Sequence, residues 1–211
     1  MSELRQTLAT GIASLPVHIA TSELADQLEI YLRLLHKWNQ AYNLTAVRDI
    51  DEMVGRHVLD SLAILPWIQG PRLIDVGSGA GLPGIPLALA RPDLHLVLLD
   101  SNGKKTRFLQ EVKRTLHLTH VEVVQSRVED YNPVQGFDTV VSRAFSHIQD
   151  LVRWTHHLVV EQGIWLAMKG LCPTDELVGL NYPYQIEPYV VAGVEGERCC
   201  VMIKKRGLHD G

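Results

Sequence analysis

The sequence predicts an α/β fold, a mainly parallel sheet wrapped by helices and preceded by an N-terminal helical segment. Three observations carry this expectation. A long stretch of helical periodicity occupies the first third of the chain, short apolar runs alternate with helical stretches after Gly70-Pro71, and a glycine-rich turn follows the first of those runs. Such alternation is what strands joined by crossover helices leave in a sequence.

From Ser22 to Leu44 the residues Leu24, Leu28, Tyr31, Leu35, Trp38 and Tyr42 recur at three- and four-residue intervals, the period of an amphipathic helix, with Thr21 or Ser22 available as its cap. Trp38 and Tyr42 lie on that stripe, so they are read as core residues rather than RNA-stacking ones. Weaker helical patterns flank it: Leu4, Leu8 and Ile12 before, and Val54, Val58, Leu62 and Leu65 after, ending at Pro66. Residues 1–66 are therefore read as a helical cap that belongs to the same compact unit as a Rossmann-like domain over residues 67–211. In that domain the strand-like runs are Leu73 to Val76, Leu94 to Leu99, Val121 to Val124, Thr139 to Val141 and Ile164 to Met168. Tyr184 to Val191 and Cys199 to Lys204, separated by the Gly193 to Gly196 turn region, read as a terminal antiparallel hairpin.

A chain of 211 residues suits one core with an accessory segment, and 46% hydrophobic with 21% charged residues is the balance of an ordinary globular protein. Its apolar stretches are strand-sized, short of the roughly 20 residues a membrane span needs. The start, Met1-Ser2-Glu3-Leu4-Arg5, lacks the pattern of an export signal, so a cytoplasmic location is expected. Three cysteines (Cys172, Cys199, Cys200) form neither an even set nor a metal-ligand spacing, and no metal is expected. A net charge of −4 does not advertise a nucleic-acid partner, so local cations would have to carry one. Candidate patches are Lys104, Lys105 and Arg107, then Lys113 and Arg114, and finally Lys204, Lys205 and Arg206; each reads equally well as a solvated cluster.

Gly77, Gly79 and Gly81 follow the first apolar run and precede a helix beginning near Leu82 or Pro83. Glycines there let the backbone turn sharply and approach a ligand closely. The spacing Gly79-Ala80-Gly81-Leu82-Pro83-Gly84 matches the dinucleotide fingerprint, yet Asp75 puts a carboxylate at the entry to the turn, where it would repel a pyrophosphate. S-adenosylmethionine carries an ammonium and a sulfonium and no phosphate, and suits such a carboxylate better. Asp100 ends the second run, where the hydroxyls of a ribose would lie, and a helix-capping role is its alternative. Val128 can pack on an adenine, with Glu129 supplying polar contacts. Arg127, Arg143 and Lys169 each follow a strand, so the fold would let three cations converge over an acceptor pocket. His57, Asp60 and Ser61 bring together the residue types of a hydrolytic triad, but within one helical turn they read as a packing network between cap and core. His156 and His157 read as amphipathic-helix residues.

Long segments carry a further signal: Leu35-His36-Lys37-Trp38-Asn39-Gln40-Ala41-Tyr42-Asn43-Leu44-Thr45, Arg56-His57-Val58-Leu59-Asp60-Ser61-Leu62, the stretch from Asp75 to Pro86, Ser142-Arg143-Ala144-Phe145, and Lys169-Gly170. In this order they strongly resemble the bacterial small-subunit ribosomal RNA guanine-N7 methyltransferase family, also known as glucose-inhibited division protein B. The resemblance implies a class I S-adenosylmethionine-dependent methyltransferase: a Rossmann-like seven-stranded sheet with an N-terminal helical extension. It implies an acceptor at N7 of a guanine in the decoding-region loop of 16S rRNA, met in the small subunit or its precursor by an enzyme expected to be monomeric. By motif position it puts cofactor contacts on Gly77, Leu82, Val128, Glu129 and Arg143, and catalytic-site or RNA contacts on Arg127, Lys169 and Arg198 beside Arg143. With the direct reading, the expected cofactor set is Asp75, Gly77, Gly79, Gly81, Leu82, Asp100, Val128, Glu129 and Arg143.

The chemistry agrees with what the chain lacks. A guanine N7 presents its own lone pair, so methyl transfer there is an in-line displacement that needs positioning rather than a base. The segment after the fourth run, Ser142-Arg143-Ala144-Phe145, lacks the Asn or Asp followed by Pro-Pro and an aromatic residue expected for exocyclic-amine acceptors. No cysteine follows that run, which argues against a covalent adduct with cytosine. Two rival readings remain at this level: a nicotinamide-dependent oxidoreductase, and a non-catalytic rRNA-binding assembly factor.

Overall fold

The computed structural model describes residues 2–17, 19 and 21–205; Arg206 of the basic tail lies outside the described residues. Helix α1 (Glu3–Ser14) starts at Ser2, whose hydroxyl accepts the Arg5 N–H at 3.1 Å, and buries Leu4, Leu8 and Ile12 as the spacing predicts. Helix α2 (Thr21–Tyr42) buries Leu24, Leu28, Tyr31 and Leu35. Its stripe then fades. Trp38 is half-buried against Phe108, while Tyr42, expected in the core, is 47% exposed on a last turn that faces solvent.

The third expected helix is not a regular α-helix. Asp49 caps α3 (Ile50–Met53), a π-helical turn spans Val54–Leu59, α4 follows at Asp60–Leu62, and a 3-10 turn covers Leu65–Trp67. Pro66 lies inside that last turn instead of ending the helix, because its missing N–H would have no partner at the start of a turn.

The seven strands are β1 (Arg72–Val76), β2 (His95–Asp100), β3 (Val121–Gln125), β4 (Phe137–Ser142), β5 (Val159–Lys169), β6 (Tyr184–Pro188) and β7 (Cys199–Lys204). Their order is β3-β2-β1-β4-β5-β7-β6; the first five run parallel, and β7 is antiparallel to both neighbours. The inner strands are mostly apolar and buried because both faces are covered, which is why they read as continuous runs rather than alternating ones. Strand β5 begins earlier than its apolar run, since Val159 pairs with Phe137 across a register shift that admits the exposed Glu161 and Gln162. Strand β6 ends short of Val191. One further bond, Tyr189 N–H to Arg198 O at 3.0 Å, holds the hairpin before the chain leaves at the exposed Val190.

Helices α5 (Gly84–Ala90), α6 (Gly103–Thr115), α7 (Ile148–Thr155) and α8 (Thr174–Leu177) complete the chain. His156 and His157 fall in a 3-10 turn after α7 rather than on a longer helix. One apolar cluster joins Leu8, Tyr31 and Leu62 to Leu73, Leu96, Leu98 and Phe108, so the N-terminal helices share a core with one face of the sheet. The second cluster, with Ile74, Val97, Val140, Trp165 and Leu151, covers the other face. Tyr31 Oη donates to Ala80 O at 2.8 Å, which fastens α2 to the turn after β1. No described helix is long and apolar enough to cross a membrane.

Candidate active site

Parallel order brings the carboxyl ends of β1 to β5 to one edge of the sheet, where α/β folds bind ligands. The turn after β1 is the floor of the site. Gly77 (φ +74°) is held by its N–H to Leu99 O at 2.8 Å, and a Cβ on it would stand 2.7 Å from the Ala144 Cβ. Gly81 (φ +88°) faces inward, and a Cβ there would strike Ile85 Cγ1 at 2.5 Å. The first glycine thus keeps the cavity open, whereas the last lets α5 pack against the turn.

Above Gly77 lies a cavity of about 550 Å³ whose wall also includes Asp100, Lys105, Ser126, Arg127, Val128, Glu129, Phe145 and Trp154. Asp100 is 7% exposed at the end of β2; Oδ2 accepts from Gly79 N at 2.9 Å and Oδ1 from Asn102 N at 2.8 Å. Each oxygen keeps a further lone pair for a ligand hydroxyl. The apolar Val128 stands in a 3-10 turn beside the exposed Glu129. An acid for the ribose, an apolar wall for the adenine and a glycine cradle that a Cβ would fill are what S-adenosylmethionine requires, and the volume lies within the range of small-ligand pockets.

Two expectations need correction. Asp75 does not face this cavity. It is fully buried beneath the turn, with Oδ2 accepting from Gly84 N at 2.9 Å and Oδ1 without a partner. Burial pushes its carboxyl up to about 7, against the partial pull of the Gly84 N–H and the Arg143 charge, so it caps α5 rather than holding an ammonium. The second correction concerns the three cations. Arg143 and Lys169 share a second cavity, of about 450 Å³, with Arg56, His57, Asp60, Tyr189 and Arg198, while Arg127 stands apart on the rim of the first. The pleat and turn after each strand, not the strand order alone, set where these side chains go.

Of the expected cofactor residues, Gly77, Asp100, Val128 and Glu129 line the first cavity. Gly79 instead donates its N–H to Asp100, Gly81 packs under the turn, Leu82 is buried in the apolar core, and Arg143 lines the second cavity. Sequence reasoning gave no cavity role to Phe145 or Trp154 and read Lys105 only as part of a basic patch. Phe145 borders both cavities, and its signal was its place two residues after Arg143. Lys105 approaches Asp100 to 3.8 Å from the first turn of α6, one turn after that acid.

In the second cavity Arg143 Nη1 donates to Asp60 Oδ2 at 3.1 Å and to Arg56 O at 3.2 Å. Arg198 Nε reaches Asp60 Oδ1 at 3.3 Å, and Tyr189 Oη donates to the same oxygen at 3.0 Å. Lys169 Nζ is tied to Phe145 O, Ser146 O and Glu176, so it is held between the loop after β4 and the carboxylate of α8. His57 Nε2 bonds Thr45 Oγ1 at 2.8 Å, and burial, aided by the Arg143 charge, pushes the imidazole down to about 4, where it stays neutral. Ser61 Oγ donates to the His57 carbonyl, not to its ring, so these residues form no triad; of the three, Asp60 ties cap to core through Arg143 and Tyr189.

Antiparallel β7 between β5 and β6, the glycine cradle and the acid ending β2 define a class I S-adenosylmethionine-dependent methyltransferase. A dinucleotide-binding fold instead has strand order 3-2-1-4-5-6, and here the N–H of the third fingerprint glycine, Gly84, is taken by Asp75; the nicotinamide reading finds no support. The chain is similar in fold to a precorrin-6y C5,15-methyltransferase from Geobacter metallireducens, at TM-score 0.54 and 12% identity over 79% of this chain and 93% of that one. The family model of rRNA small subunit methyltransferase G matches residues 24–198, and the chain belongs to that family. It is 56% identical to the ribosomal RNA small subunit methyltransferase G of Legionella pneumophila over 96% of this chain and 95% of its relative. It is 52% identical to the Escherichia coli protein of the same name, over 87% and 90%.

Proposed function

We propose that this enzyme transfers the methyl group of S-adenosylmethionine to N7 of a guanine in the decoding-region loop of 16S rRNA, with the cofactor in the Gly77 cavity and the guanine in the Arg143 cavity. The observation that carries this reading is the pairing of two cavities through Phe145, one suited to the cofactor and the other lined by the cations Arg56, Arg143, Lys169 and Arg198. Bound there, the cofactor supplies an electrophilic methyl group. The chain's residues do the rest by holding the base: Arg143 and Arg198 offer donors to guanine O6 or to phosphate, and Phe145 presents a ring edge or face between the two sites. Asp60 is committed to Arg143 and Tyr189, and His57 is held by Thr45 through Nε2 while its Nδ1 is buried from solvent. That suits an acceptor which needs no deprotonation. Arg127 on the outer rim and the exposed Glu129 then serve the approach of RNA and cofactor respectively.

Residues 1–66 act in this reading as a cap integral with residues 67–211, supported by the shared apolar cluster and the Tyr31 to Ala80 bond. The reading entails a monomer working in the cytoplasm on the small subunit or its precursor. Its test is single-turnover methylation of small subunits from a strain lacking the enzyme. Arg143→Ala should slow transfer by roughly 10²-fold, as expected when a positioning contact is lost. Arg143→Lys should recover only part of it, because a point charge does not reproduce the planar fork. Full activity in Arg143→Ala would move the acceptor site elsewhere.

A further inference from the structure

We infer that Asp60 is a positioning residue for methyl transfer, one that aims Arg143 and Arg198 at the RNA acceptor with the π-helical turn before it as a second brace. This rests on the reading that the Arg143 cavity receives the guanine.

Three segments far apart in the chain converge on this one carboxylate: Arg143 from the loop after β4, and Tyr189 and Arg198 from the two arms of the β6–β7 hairpin. Its side chain is 7% exposed, so its attraction for the two guanidiniums is screened less than a surface pair would be. Two arginines lining one small cavity repel each other, and a buried acid between them keeps both pointing inward. Asp60 is engaged by the arginines on both oxygens: Oδ1 by Arg198 and Tyr189, and Oδ2 by Arg143. The arginines, by contrast, keep donors to spare. Arg143 makes both of its bonds through Nη1, leaving Nε and Nη2, and Arg198 uses Nε and Nη1, leaving Nη2.

The irregular helix adds a second observation. In an α-helix the Asp60 N–H would bond the Arg56 carbonyl, but across the π-helical turn it goes to Gly55 O and His57 O. The Arg56 carbonyl instead accepts Arg143 Nη1 at 3.2 Å. One widened turn therefore offers the same guanidinium nitrogen both a carbonyl and a carboxylate, and such turns recur at functional sites.

The experiment is single-turnover methylation of unmethylated small subunits at saturating S-adenosylmethionine, run on Asp60→Asn, Arg143→Ala and the double variant. Asp60→Asn keeps the volume and removes the charge, and it should slow transfer by ~10²-fold. Calorimetric affinity for S-adenosylmethionine should stay within about twofold, because Asp60 does not line the cofactor cavity. If Asp60 acts through the two arginines, the double variant should lose clearly less than the product of the two single losses, because only the hold on Arg198 is left to remove. Should Asp60→Asn fail to fold, Asp60→Glu carries the same test: it keeps the charge but displaces both forks, and its rate should drop ~10-fold or more. A wild-type rate in a folded Asp60 variant beside a slow Arg143→Ala would overturn the positioning role and leave the functional reading intact. Losses that multiply in the double variant would also overturn it. A wild-type rate in Arg143→Ala would remove the functional reading itself, and this inference with it.

Discussion

Replacing Asp100 by alanine tests whether the end of β2 both shapes the turn and holds the cofactor. The carboxylate accepts the Gly79 N–H at 2.9 Å and the Asn102 N–H at 2.8 Å, so one substitution strips two backbone donors of a charged acceptor. Hydrogen bonds to charged groups contribute about 1.5–3 kcal/mol each, and the donors belong to the half-buried Gly79 and the exposed Asn102, where water can partly replace the lost oxygen. A stability loss of about 2–4 kcal/mol follows. Cofactor binding should weaken separately by about 1–3 kcal/mol, roughly 5- to 150-fold in Kd, through the missing ribose acceptor. Asp100→Asn keeps one acceptor oxygen and should lose about half as much on both counts. Urea denaturation measures the first quantity, and titration calorimetry with S-adenosylmethionine the second. A folded Asp100→Ala protein that binds the cofactor with wild-type affinity would refute the assignment, whatever its stability.

Two further outcomes follow from the same turn. Gly77→Ala must place a side chain at φ +74° and 2.7 Å from Ala144, so it should cost about 1–2 kcal/mol from the left-handed backbone alone and weaken cofactor binding further; unchanged calorimetric affinity would show that the cradle tolerates a methyl group. The Asp75 carboxyl, pushed up to about 7 by burial, lies above its unfolded value of 3.8, so its contribution to stability is fully present below about pH 4 and is lost as pH rises through about 7. Asp75→Asn cannot ionise, and its stability relative to wild type should therefore improve between pH 4 and pH 8 in urea denaturation; a constant difference across that range would mean that Asp75 is not the titrating group.

The parts of this molecule that were legible in the sequence are those that polarity encodes. Strands β1, β2 and β4 are covered on both faces and so stand out as apolar runs, and the stripe of α2 follows from its burial over four turns. The π-helical turn was invisible, because Val54, Val58 and Leu62 keep helical spacing whichever carbonyl each N–H selects. Asp75 was placed at the right end of the right strand but on the wrong side of it, since a side chain's direction depends on the pleat and on how the following turn closes over it. Lys169 and Arg127 show the same limit: their positions after strands are plain, yet Glu176 on α8 draws one into a loop and nothing in the sequence separates the other's cavity from that of Arg143. The Asp60 network depends on contacts 83 and 129 residues apart, which no local pattern reports.

The most direct test of the account is the identity of the methylated atom. Small subunits from a strain lacking the enzyme would be incubated with the protein and S-adenosylmethionine carrying a labelled methyl group, and the 16S rRNA then treated with borohydride and aniline, which cleave at 7-methylguanine. The account predicts label in 16S rRNA and a single enzyme-dependent cut in the decoding-region loop. Label without that cut, a cut elsewhere, or no transfer from folded protein that binds the cofactor would contradict it.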